Sequence, residues 1–131
     1  MLIDDDKMFL NVYKDLMEDH GFEVCVESSP LSAFERLRLG ERFDLVITDI
    51  LMAEMDGWSL IKSIRNKLNI DYVKLPIIVL SRVDSLKLEM DSLRELANAW
   101  IVKSNESFPQ LLQQVNLLCG RYKREVSGDA D

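Results

Sequence analysis

Short apolar runs of strand length alternate along this chain with segments in which apolar residues recur every three or four positions. That alternation is the sequence sign of βαβ units around a parallel sheet. The predicted strands are residues 1–3, 23–26, 44–48, 76–80 and 100–102. The fourth is wholly apolar after its proline, as expected of a central strand covered on both faces. Helix one follows Asp4-Asp5-Asp6, carries Phe9, Val12, Tyr13, Leu16 and Met17 on one stripe, and ends at Gly21. Helix two opens at Ser28-Ser29-Pro30, a hydroxyl cap followed by a proline tolerated in a first turn, and runs to about Gly40. Helix three carries Trp58, Ile61, Ile64 and Leu68 on its buried side, and helix four spans residues 85–97. Ser107-Phe108-Pro109-Gln110 has the form of a capping box opening helix five, whose stripe is Phe108, Leu111, Leu112, Val115, Leu118, Cys119 and Tyr122. Residues 123–131 are polar and lack apolar period, which predicts a frayed tail or the start of a linker after a domain of residues 1–122.

Composition narrows the function classes. A length of 131 residues suits one domain, and 47% apolar with 30% charged residues is a globular balance. No apolar run approaches the roughly eighteen residues of a membrane span, and no secretory signal is evident, so a cytoplasmic protein without membrane contact is expected. The net charge of −7, from 23 acidic and 16 basic residues, disfavours direct binding to nucleic acid. Cys25 and Cys119 lack metal-binding spacing and are expected to be reduced core residues. His20, the single histidine, precedes Gly21 at a helix end, where a cap role is expected, and its solitude removes Ser-His and Cys-His mechanisms.

What remains chemically pointed is the end of strand three, where an apolar run meets Asp49. In a parallel α/β sheet, ligands bind beyond the carboxyl ends of the strands. Strands one, three, four and five lying side by side bring Asp4-Asp5, Asp49, Ser81 and Lys103 to one place. Three crowded carboxylates repel, and a hard cation such as Mg²⁺ (or Mn²⁺) relieves them with oxygen ligation. A lysine and a hydroxyl opposite that cation complete a pocket for a group with three negative oxygens, most simply a phosphoryl. Asp49 is then the nucleophile that forms an acyl phosphate.

In the order and spacing of these residues, nearly the whole chain resembles the receiver domains of two-component response regulators. The matching parts are Asp4-Asp5, Asp49 with Met52 and Met55-Asp56-Gly57, Ser81 and Lys103. The resemblance implies a doubly wound, flavodoxin-like sheet in order 2-1-3-4-5 with five helices, and Mg²⁺ held by Asp5, Asp49 and the backbone carbonyl of Leu51, with Asp4 assisting through the metal's waters. It implies phosphorylation of Asp49 by a histidine kinase or phosphotransfer protein, Ser81 and Lys103 on the phosphoryl group, and Trp100 at the aromatic switch position. Output, to an unidentified partner or attached domain, is implied on the face of helix four, strand five and helix five. The protein is expected to be a phosphoacceptor that catalyses at most its own phosphotransfer and dephosphorylation.

Departures from the family pattern bear on kinetics and output. Ala53 and Ser104 stand where prolines are common, Arg82 stands beside Ser81 where a small residue is usual, and Leu96-Ala97-Asn98-Ala99 replaces a glycine-bearing turn. A cis Lys103-Ser104 bond would cost about 3 kcal/mol more than trans, so either strain or a reshaped loop is predicted. Apolar Leu51 and Val83, where an attacking water would be oriented, predict a long-lived phosphoryl group. Two rivals remain at this point. One is a small haloacid-dehalogenase-like phosphatase using Asp4 and Asp6; the other is a receiver-like interaction module that is never phosphorylated. No DNA-binding helix-turn-helix or enzymatic segment follows helix five, so the chain is expected either to act alone through its surface or to be one piece cut from a longer protein, and the abrupt start and polar tail fit a cut piece.

Overall fold

The computed structural model describes residues 1–71, 73–82 and 94–130, with backbone alone at 94 and 120–130. Five parallel strands form one sheet in the order β2-β1-β3-β4-β5, with β1 at Leu2–Ile3, β2 at Val26–Glu27, β3 at Val46–Thr48, β4 at Ile77–Ser81 and β5 at Ala99–Val102. Helix α1 is Lys7–Asp19, α2 is Pro30–Arg38, α3 is Gly57–Lys62 continued by a π turn at Ser63–Lys67, and α4 is Ser107–Ala130. A 3₁₀ turn at Arg94–Leu96 precedes β5. The described residues therefore hold four α-helices rather than five. The helix predicted over 85–97 lies mostly outside them, and α4 is the helix predicted as the fifth.

Because successive strand side chains point to opposite faces, the unbroken apolar run of β4 serves two cores at once. Ile78 and Leu80 join Leu2, Ile47 and Ile101 under Leu10, Tyr13 and Met17 of α1 and Leu111 and Val115 of α4. Ile77 and Val79 join Ile3 and Val46 under Ala33 and Leu37 of α2 and Leu60, Ile61 and Ile64 of the α3 segment. This two-sided burial pins the strand register, since a one-residue slip would exchange the two cores.

Several expectations need correction. The second strand is Val26–Glu27, not residues 23–26, because β1 offers only Leu2 and Ile3 for pairing. Val12, assigned to the buried stripe of α1, is half exposed. Cys25 is exposed and Cys119 partly so, rather than core residues, and the two are not joined in a disulfide. Ser107 does not act as the cap of a box. It is the buried first residue of α4, and its hydroxyl donates to Ser104 O at 2.8 Å and pairs with Tyr13 Oη at 2.6 Å. The polar stretch after Tyr122 continues the helix to Ala130 instead of fraying. No described peptide bond is cis, so the loop after Lys103 is the reshaped alternative. Ser104 organises it, accepting Glu106 N–H on its hydroxyl at 3.1 Å and Ser107 N–H on its carbonyl at 3.2 Å.

The turn before β5, which lacks the expected glycine, is held by Arg65. That buried guanidinium donates to the carbonyls of Leu96 (2.9 Å), Ile70 (3.1 Å) and Leu75 (2.8 Å) and to Asn98 Oδ1 (3.2 Å). The π turn of α3 is where Arg65 sits. His20 is a helix-end residue as expected, its Nδ1 2.8 Å from Leu16 O.

Candidate functional site

The carboxyl ends of β1, β3, β4 and β5 converge as the strand order requires. They line a cavity of about 220 Å³ with Asp4, Asp5, Asp6, Asp49, Leu51, Arg82 and Lys103. Asp49 follows β3 directly and is buried. Its Oδ1 accepts the Ile50 N–H at 2.6 Å and the Ser81 hydroxyl at 2.5 Å, with Leu51 N–H more distant at 3.4 Å. Among the described residues its Oδ2 accepts from Lys103 Nζ alone, at 3.0 Å. The two oxygens are thus unequal, one saturated with donors and one facing the lysine.

Lys103 bridges two carboxylates, donating to Asp4 Oδ2 at 2.7 Å as well as to Asp49. Burial alone would depress its ammonium, but the hydrogen bonds and charges of Asp4 and Asp49 outweigh burial and hold it above its ordinary value. Asp4 behaves differently. Burial pushes its carboxyl up, and the Lys103 hydrogen bond and the Asp6 N–H pull it only part of the way back, while the charge of Asp49 adds to the rise. A lysine shared by two buried carboxylates keeps itself charged without fully compensating Asp4. A carboxyl raised in the folded state contributes stability that is complete below its unfolded value and is lost as pH rises through the folded value. Asp4 therefore makes the fold less stable at neutral pH than a neutral acceptor would. A carboxyl-carbon NMR titration is expected to place Asp4 above the ordinary 3.8 and exposed Asp71, which accepts the Lys74 and Val73 amides, below it. Asp4 titrating below 3.8 would contradict this account of the site.

Asp5 is exposed, with its Oδ2 accepting Ala53 N–H at 3.2 Å, so the loop after Asp49 is tied to the acidic pair despite the missing proline. Asp6 caps α1, accepting Met8 and Phe9 N–H groups on Oδ1 at 3.1 and 3.2 Å. That cap takes up Asp6 Oδ1 at a helix N-terminus, the place an acid favours. Among the described residues no three carboxylate, histidine or cysteine side chains close around one point as a finished metal cage. Lys103 holds Asp4 and Asp49, and Asp5 turns to the loop amide. The donor set nonetheless suits a hard cation, since its charged ligating atoms are all oxygens and, among the described residues, four carboxylates line one cavity with two cations, Lys103 and Arg82.

Some contributors were not read from the sequence. Thr48, buried at the end of β3, donates its hydroxyl to Asp49 O at 2.9 Å. Gly57 packs its Cα against the Asp49–Ile50 backbone. A Cβ there would lie 2.1 Å from Asp49 O, and its N–H donates to Ile50 O at 2.7 Å. Phe9, assigned only to the core stripe, has its ring centroid 4.2 Å from Lys103 Nζ. The signal for Gly57 was its place in Met55-Asp56-Gly57; Phe9 gave none. Trp100 lies with its ring centroid 4.8 Å from that of Trp58, and its buried indole N–H has no hydrogen-bond partner among the described residues. Arg82 is exposed at the pocket mouth and Leu51 is 58% exposed on its rim, whereas Val83 lies outside the described residues.

Fold and site together define a parallel α/β protein with an acidic pocket built around one buried aspartate and a lysine. A family profile for the response regulator receiver domain matches residues 1–116, and the chain belongs to that family. It is 29% identical over 103 residues to the transcriptional regulatory protein ZraR of Klebsiella oxytoca, covering 79% of this chain and 22% of the relative. The chain thus spans about a fifth of the length of that relative. The response regulator TrrA of Thermotoga maritima, crystallised in complex with Mg(2+)-BeF, superimposes with a TM-score of 0.76 at 26% identity, covering 89% of this chain and 95% of that one. A response regulator receiver domain protein from Clostridium thermocellum gives a TM-score of 0.79 at 25% identity, covering 93% and 94%. The chain is accordingly a receiver domain of the two-component type, a phosphoacceptor in signal transduction. No helix among the described residues is long and apolar enough to cross a membrane.

Proposed function

We propose that Asp49 is the phosphoacceptor of this receiver and that its Oδ2 is the attacking atom. The observation that carries the reading is the inequality of the two carboxylate oxygens. Oδ1 is occupied by Ile50 N–H and the Ser81 hydroxyl, and among the described residues Oδ2 meets the Lys103 ammonium alone, on the cavity that Lys103 also lines. A phosphorus–oxygen bond forms at Oδ2 as the bond from phosphorus to its donor breaks. Lys103 then moves one hydrogen bond from Asp49 to a phosphoryl oxygen, and the Ser81 hydroxyl is close enough to follow. Asp4, Asp5, Asp49 and the Leu51 carbonyl are the residues to hold Mg²⁺ or Mn²⁺. The cation, when bound, neutralises phosphoryl charge that Lys103 alone cannot.

The phosphodonor is a protein phosphohistidine, on a histidine kinase or a phosphotransfer protein, or a small acyl phosphate; with it goes a cytoplasmic location. Trp100 is the switch element. Its indole N–H, without a partner among the described residues and costing about 1–3 kcal/mol if left so where it is buried, favours a second rotamer once Ser81 moves. The output face is β5 with α4 and the segment before β5, and residues 1–122 form the receiver unit. Intact-mass measurement after acetyl phosphate and Mg²⁺ is the test. One phosphoryl group on wild type and none on Asp49→Ala is the expected outcome. No adduct on wild type, even from a competent kinase, would instead make the chain a silent interaction module.

A further inference from the structure

We infer that Phe9 is a positioning residue for phosphoryl transfer, acting through the Lys103 ammonium by a cation–π contact, an inference that rests on the phosphoacceptor reading above. Lys103 has three donors. Two go to Asp4 Oδ2 and Asp49 Oδ2, and among the described residues the Phe9 ring, its centroid 4.2 Å from Nζ, is the third partner. A ring face attracts an ammonium without taking a directed hydrogen bond, so it holds the nitrogen in place while leaving its donors able to turn. This is what a lysine needs if it must pass a hydrogen bond from carboxylate to phosphoryl oxygen without drifting into solvent, to which its side chain is 18% exposed.

The ring is itself held from behind. Phe9 stacks on Tyr13 with centroids 4.1 Å apart and planes 23° from parallel. Tyr13 is buried, meets Phe108 edge to face at 5.8 Å, and its hydroxyl is fixed to Ser107 Oγ at 2.6 Å. Ser107 in turn is bound to Ser104 O in the loop that leaves Lys103. The lysine is therefore clamped from two directions, along its own backbone by the Ser104 turn and at its tip by the Phe9 ring. In a loop that lacks the family's proline, the aromatic column of α1 supplies the second fixed point.

The test replaces Phe9, in the full chain, by mono-, di- and trifluorophenylalanine, which keep ring shape while draining the negative potential of the ring face. Two readouts are taken. Without metal or phosphodonor, NMR of wild type is expected to show the Lys103 ε-methylene protons shifted upfield by the ring current, a shift lost in Phe9→Leu. With acetyl phosphate and Mg²⁺, the rate of Asp49 phosphorylation is expected to fall stepwise with fluorination, to about fivefold at the trifluoro stage, the equivalent of about 1 kcal/mol. Phe9→Tyr, which keeps a ring face, is expected to retain the wild-type rate. An unshifted Lys103 signal, or a flat rate across a folded fluorinated series, overturns the inference. Wild-type protein that takes no phosphoryl group at all sinks the phosphoacceptor reading instead, and the NMR result then decides the Lys103–Phe9 contact separately.

Discussion

Gly57→Ala is expected to lower the stability of the fold by about 3 kcal/mol, or about 10 °C in Tm, and to slow Asp49 phosphorylation even where the protein remains folded. The methyl would sit 2.1 Å from Asp49 O, 2.8 Å from Ile50 Cα and 3.0 Å from Asp49 C. All three are backbone atoms, so no flexible side chain can swing away. Either α3 retreats from the sheet, opening the core around Leu60 and Ile61, or the Asp49–Ile50 peptide shifts and carries the acceptor carboxylate with it. The cause is space alone, because Gly57 does not have the positive φ seen at Gly21 and Gly40. Gly40→Ala separates the two effects, with open space around its Cβ but φ of +93°, and a cost nearer 1 kcal/mol is expected there. Thermal unfolding of both variants checks the comparison. A Gly57→Ala midpoint within about 2 °C of wild type would contradict the close approach.

Lys103→Met is the second large effect. Methionine preserves most of the stem and removes the charge that bridges Asp4 and Asp49, whose side chains are only 2% and 9% exposed. Breaking a buried pair from one side costs about 3–5 kcal/mol, here lessened by proton uptake on Asp4, whose carboxyl is already raised. Without divalent cations the variant should therefore be less stable by about 3 kcal/mol. Added Mg²⁺ should recover more stability in the variant than in wild type, because no ammonium competes for the carboxylates. Phosphorylation should nonetheless stay at least about 100-fold slower, since a lost charge partner at a developing oxyanion is not replaced elsewhere. Urea unfolding with and without Mg²⁺, beside phosphorylation rates, measures both. Equal stability of variant and wild type in the absence of metal would show that Lys103 does not neutralise this site.

Why some of this was legible in the sequence and some was not follows from where each signal resides. The strand run ending at Ile47-Thr48 and the acids after β1 and β3 are local patterns. Parallel pairing in a two-sided core then forces Asp4, Asp49, Ser81 and Lys103 together, so the site assembled as the spacing implied. The strand order came from family resemblance, since periodicity does not distinguish one arrangement of parallel strands from another. Long-range competition explains the misses. Ser107 looked like a cap because its local sequence fits one, but Tyr13, 94 residues away, claims its hydroxyl, and Ser104 takes over the turn. Strand 23–26 was misplaced because its pairing depends on the short reach of β1. Phe9 and Val12 share one helical period, yet the first lies against Lys103 and the second faces solvent. Arg65 compensates for the missing glycine before β5 through three carbonyls that no local pattern reveals.

The central claim is that the phosphoryl group resides on Asp49. Borohydride reduction of the phosphorylated protein, which converts an acyl phosphate to the corresponding alcohol, followed by peptide mass mapping, tests it directly. The account predicts homoserine at position 49 and unmodified aspartate at positions 4, 5 and 6. Reduction at any of those three, or a stable phosphate at another residue with Asp49 intact, would contradict it.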